Sequence, residues 1–310
     1  MSAIAAKPAA DAGAFRPVPS IIAILLAIVI VAVAFLLGNA GIIVGGAMLA
    51  VRVIGLIILG AALIAFGVHF VPVGGAPAAM GQAPGIATGV AMLATGAGLA
   101  GLFGGAWAAA SFGTAFETGG FALSILGGAI GGGLMMAITC LMVNMSYVFG
   151  MGIPPASGKV EKDPLTHDSQ PEFKSQGTEG HGLPFISYIG GVIGGLLGGL
   201  GGTLIYVELL DFFSATLGAK AGELVLHSNV FAHFFNEILG ANPGPLAIGL
   251  AGIIAIGMFL VIAVLSAYNI TGTIEGPHDP KFKRFPRAII AAILASAACG
   301  LVAMLVVMII

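Results

Sequence analysis

Seven long apolar runs, at 20–37, 42–68, 86–110, 121–149, 183–206, 245–268 and 285–310, limit what this chain can fold into more than any other feature. A helix rises about 1.5 Å per residue, so about 20 apolar residues match the hydrocarbon thickness of a bilayer. Inside lipid each backbone N–H and C=O needs a partner within its own segment, which makes helices the form for runs of this length. The expected fold is all-α: a polytopic membrane helix bundle of six to seven transmembrane helices. The second run holds Arg52, so it reads either as one tilted helix or as a shorter span starting near Val53.

Composition agrees. Only 8% of the 310 residues are charged and 58% are hydrophobic, with a mean hydropathy of +1.10. So few charges cannot cover a water-soluble surface. Glycine is abundant and patterned, reading GGAIGGG at 127–133 and GGVIGGLLGGLGG at 190–202. Small residues three or four apart let membrane helices approach closely. Cys140 and Cys299 sit inside apolar runs without metal-ligand spacing and read as buried structural residues. A net charge of −2 points to neither a nucleic-acid partner nor a peripheral membrane protein.

The segment before the first run carries Lys7 and Arg16 against Asp11, and its apolar core outruns a signal-peptide core. It reads as a retained anchor helix. Basic residues set orientation. With seven spans, Lys7, Arg16, Lys159, Lys162, Lys174, Lys281, Lys283 and Arg284 fall on one side and Lys220 on the other. The N-terminus is then cytoplasmic and the C-terminus external. Residues 1–52 form an N-terminal extension with an extra anchor helix. Residues 53–310 form the membrane domain, with a cytoplasmic loop at 150–182 and an external segment at 207–244. Neither connection is long enough to build a core of its own.

Chemistry is sparse. Arg52 is the one charge expected within a span, which argues against a mid-membrane carboxylate of the kind a rotor ring needs. The stretch HFVPVGGAPAAM (69–80) is uncharged and dense in Gly and Pro, which suits a re-entrant segment lining a cavity or a plain structural corner. TEGHGLP (178–184) offers Glu179 and His181, too few ligands for a zinc site. YNITGTIEGPHDPKFKR (268–284) places Glu275 and Asp279 beside Asn269, Thr271 and Thr273, oxygen donors suited to a hard cation. No phosphate loop, nucleophile elbow, HExxH pair or dinucleotide fingerprint is present, so no catalytic residues are assigned.

HFVPVGGAPAAM, TGVAMLATGAGLAGL (88–102), TEGHGLP and YNITGTIEGPHDPKFKR together resemble, in the same order, the family formed by the membrane-embedded D subunit of tetrahydromethanopterin S-methyltransferase. The likeness runs from about residue 53 to 310. It implies membership of an archaeal complex that moves a methyl group from methyl-tetrahydromethanopterin to coenzyme M in methanogenesis-type one-carbon metabolism, and couples the transfer to sodium export. The corrinoid (cobamide) cofactor would belong to the A subunit. The sister C and E membrane subunits would share the sodium-translocating part with this non-catalytic chain in the lipid bilayer. The extension through about Arg52 and the segment around 208–242 depart from the family pattern.

Two readings follow from the resemblance. In the first, the chain is part of the sodium path, with Glu275 as the leading ligand, then Glu179 and Asp279, and Asn144 and Asn269 in support. In the second it scaffolds its sisters without touching the ion. An independent secondary transporter is a third reading, disfavoured by the scarcity of charge within the spans.

Overall fold

The computed structural model describes residues 16–71, 86–145, 185–224, 243–270 and 285–309. Among these the fold is all-helical, with seven helices: α1 (Pro17–Asn39), α2 (Gly46–Phe70), α3 (Ile86–Phe112), α4 (Gly120–Met145), α5 (Phe185–Leu224), α6 (Pro243–Ile270) and α7 (Phe285–Ile309). Among the described residues, six of them contain a stretch long and apolar enough to cross a membrane. The chain is a multi-pass membrane protein. Segment 72–85, which holds most of the expected re-entrant stretch, lies outside the described residues, as do 146–184, 225–242 and 271–284.

Proline starts α1, where its fixed φ suits the first helical turn and its missing N–H costs nothing. The reversal into α2 uses Gly41, Gly45 and Gly46 at positive φ, a conformation that L side chains rarely adopt. α2 is one continuous helix through Arg52, which settles its starting point. Its buried residues Val53, Ile54, Ile57, Ala61, Ile64, Ala65 and Val68 recur three or four apart, so one stripe faces the bundle.

α5 is the hub. It packs against α2, α3, α4, α6 and, more lightly, α7, and 72% of its span is buried against 17% for α1. Its glycines divide among several neighbours, with Gly198 and Gly202 facing Phe259 of α6. A Cβ on Gly194 would stand 2.6 Å from the carbonyl oxygen of Gly67 on α2. One on Gly195 or Gly199 would strike the backbone of Gly132 or Gly128 on α4. Glycine runs that look uniform in the sequence therefore serve several interfaces. Large apolar side chains point outward on the peripheral helices, among them Leu25 on α1, Trp107 on α3 and Ile253 on α6, as lipid contact requires.

α5 departs from expectation. The apolar run suggests an end at Tyr206, but the helix continues to Leu224. The first part of the stretch read as an external connection is thus helix, with Leu209, Phe212 and Phe213 in the core. Glu208 and Asp211, expected in that connection, sit inside the bundle instead.

Candidate functional site

The helices bring polar side chains together at the two ends of α2. Arg52 and His69 lie about 25 Å apart along its axis, at 1.5 Å per residue, close to the roughly 30 Å of a bilayer core. Each marks one end of the bundle.

At the Arg52 end, the guanidinium donates through Nε and Nη2 to a single carboxylate oxygen of Glu208 on α5, Oε2, at 3.3 Å and 3.2 Å. Glu208 is fully buried, whereas the Arg52 side chain is 43% exposed. The other carboxylate oxygen, Oε1, is buried and accepts no hydrogen bond from the described residues. The arginine carbon Cζ also sits 5.8 Å from the Phe116 ring centre, within cation–π range. Asp211, one turn further along α5, accepts a hydrogen bond from Thr114 Oγ1 at 2.6 Å. Thr114 and Phe116 belong to the turn between α3 and α4, so three parts of the chain converge on this corner.

This ion pair corrects the expectation of a single charge within the spans. An isolated charge in an apolar helix is costly unless it is paired. Arg52 in an apolar run was therefore itself a signal that an acidic partner exists. The partner was legible too: LIYVELLDFF (204–213) places Glu208 and Asp211 three residues apart on one helical face, within a run that stays apolar elsewhere.

At the opposite end, His69 is completely buried. Its Nδ1–H donates to the carbonyl of Ala65 at 2.6 Å. That leaves Nε2 as an acceptor, and Asn269 Nδ2 donates to it at 3.3 Å. Phe285, the first residue of α7, meets the His69 ring edge-on at 5.7 Å. His69 and Phe70 therefore finish α2 and are not part of a segment leaving it. With its ring buried and both nitrogens engaged, His69 does not fit the role of an axial ligand to a corrinoid.

Of the expected sodium donors, Asn269 is held near the end of α6 by His69. Asn144 falls in the last turn of α4, toward the same end of the bundle, with its side chain outside the described residues. Glu179, Glu275 and Asp279 lie outside the described residues altogether. Among the described residues no group of three or more His, Cys, Asp or Glu is placed to hold a metal ion.

Comparison with known proteins decides the family. The family model for the D subunit of tetrahydromethanopterin S-methyltransferase matches residues 48–296. The chain belongs to this D-subunit family. The D subunit of Methanosarcina mazei is 45% identical over 238 residues, covering 76% of this chain and 86% of the relative. The D subunit of Methanothermobacter marburgensis is 45% identical over 240 residues, covering 77% and 89%. That of Methanocaldococcus jannaschii is 41% identical over 240 residues, covering 77% and 90%. The family match takes in Arg52, His69, Glu208, Asp211 and Asn269, while α1 precedes it.

Proposed function

We propose that this chain contributes to the sodium path of a methyltransferase complex that transfers a methyl group from methyl-tetrahydromethanopterin to coenzyme M. In this reading the methyl chemistry and the corrinoid belong to partner subunits, with the cobamide on the A subunit, and this chain works in the membrane beside the C and E subunits. The N-terminus is cytoplasmic and the C-terminus external. The His69 end of the bundle is then the cytoplasmic end.

One observation carries the reading. Asn269 and Phe285, which flank the segment holding Glu275 and Asp279, both meet the buried ring of His69. The two chain ends of that segment are thereby fixed to α2 at a defined place in the bundle. An ion entry built on Glu275, Asp279 and Asn269, with Glu179 and Asn144 from the other polar span ends, needs such a fixed frame, because ligands must be held closely in place to select an ion.

The test is Glu275→Gln and Asp279→Asn in the whole complex, reconstituted in vesicles, with methyl transfer and sodium uptake followed together. Loss of sodium uptake with intact assembly supports an ion-path role. Unchanged uptake in both variants leaves the scaffold reading in its place.

A further inference from the structure

Glu208 presents an arrangement that the pairing with Arg52 does not use up. Both guanidinium contacts go to Oε2, where a forked pair would spread them over both oxygens. Oε1 stays buried and without a hydrogen bond among the described residues. A bare carboxylate oxygen out of water is expensive to keep. Asp211 stands one turn away on the same helix, roughly 5–6 Å from Glu208 between Cβ atoms by helix geometry. Thr114 Oγ1 is already turned to Asp211 at 2.6 Å.

Charge points to the ligand class. Counted as ionised, the two carboxylates and the guanidinium, which would stay beside the Phe116 ring on releasing Glu208, leave this corner with one net negative charge. A monovalent cation cancels it, while a divalent cation would overshoot. The donors are carboxylate and hydroxyl oxygens, which suit a hard ion and not a soft one. Glu117, on the turn beside Thr114, is exposed and stands apart from this count. Arg52 also has somewhere to go, since its half-exposed side chain already lies against the Phe116 ring.

We propose that Glu208, Asp211 and Thr114 form a binding site for a hard monovalent cation at the Arg52 end of the bundle, and that Arg52 is a tethered counter-charge which releases Glu208 when the cation binds. The site lies at the end of the bundle opposite Asn269. For the identity of the ion as sodium it rests on the ion-path reading; its geometry stands without it. Arg52 thus competes with the ion, and its removal has the opposite sign to removal of a ligand.

The experiment measures, on the purified complex, the sodium concentration that half-saturates methyl transfer and the rise in Tm on adding sodium, with potassium as the comparison ion. E208Q and D211N are expected to raise the half-saturating concentration about tenfold or more, the effect of losing one charged ligand, and to reduce the sodium-induced Tm shift. R52Q is expected to lower the half-saturating concentration and enlarge the Tm shift, because sodium then supplies the missing counter-charge. T114V, close in shape, serves as a milder variant should the carboxylate variants fail to assemble, and E117Q should behave as wild type. Unchanged sodium dependence in E208Q, D211N and T114V overturns the site, as does an R52Q variant that binds sodium less well. If these variants are silent while Glu275→Gln abolishes sodium dependence, the ion-path reading stands and this site falls. If methyl transfer is indifferent to sodium in every form but the sodium-induced Tm shift is lost in E208Q, the site stands and the ion-path reading falls.

Discussion

Arg52 and Glu208, 156 residues apart in sequence, join α2 to α5 through an ion pair in which the acid is wholly buried and the base is half in reach of solvent. The asymmetry makes the two single substitutions unequal. Arg52→Met leaves a buried carboxylate without its counter-charge, which costs up to about 3–5 kcal/mol, the figure for a fully buried pair. Glu208→Gln leaves a guanidinium that can turn toward solvent and Phe116, so its cost should fall nearer that of a lost charged hydrogen bond, about 1.5–3 kcal/mol. The double variant should be less destabilised than the sum of the two. Denaturation of the chain in detergent without added sodium checks all three, and equal costs would mean that Glu208 has access to water.

Glycine substitutions should split by interface. A Cβ on Gly60 would stand 2.6 Å from the Gly201 carbonyl oxygen and 2.8 Å from Ile205 Cγ1, so α2 and α5 must move apart. Gly60→Ala is expected to destabilise by about 1–3 kcal/mol, the usual cost of overpacking. A Cβ on Gly257 of α6 meets nothing within 4 Å. Gly257→Ala should therefore leave the isolated chain unchanged or stabilise it by up to about 1 kcal/mol through helix propensity. Thermal unfolding of the two variants side by side decides the matter.

The helices were legible because lipid imposes a length and a polarity that show in the sequence as uninterrupted apolar runs, and α1, α6 and α7 follow those runs closely. α5 was misread at its far end because hydropathy treats each residue alone. Glu208 and Asp211 count there as polar residues that end a span, whereas their cost is offset by Arg52 and Thr114 from distant parts of the chain. The same limit hid the role of His69, which reads as the start of a Gly- and Pro-rich segment until Asn269 and Phe285 are seen against it. Which glycines face α2 and which face α4 likewise depends on the neighbours and not on the run itself.

The His69–Asn269 contact ties α2 to α6 within the buried bundle. His69→Phe keeps a ring beside Phe285 but removes the acceptor for the Asn269 amide and the donor to Ala65. Losing a buried hydrogen-bond partner costs about 1–3 kcal/mol, and a fall in Tm of the isolated chain should record it. His69→Gln, which retains an acceptor and a donor, should recover part of the loss. Equal loss in both variants would mean that ring packing against Phe285, and not the hydrogen bonds, holds this end together.

α1 should prove dispensable for the rest of the fold. The residues it fully buries are Ser20, Ala27, Ala34 and Gly38, all small; Ile30, Val31 and Leu37 pack partly against the core, while Ile21, Leu25 and Ile28 point away from the bundle. It touches α2 and α7 but has no strong contact with the hub α5. Between membrane helices, lipid-facing apolar surface supplies no drive for association, so packing contacts alone hold α1 in place. α1 also precedes the part of the chain that matches the D-subunit family. Deletion of residues 1–39 is therefore expected to lower the Tm of the remaining bundle only slightly and to leave the Arg52–Glu208 and His69–Asn269 contacts intact. Co-purification of the shortened chain with its complex, beside its thermal unfolding in detergent, distinguishes two roles for this helix. Retained assembly makes α1 an added anchor, whereas a stable bundle that no longer co-purifies would make the exposed face of α1, with Ile21, Leu25 and Ile28, a contact for a neighbouring membrane protein of the complex.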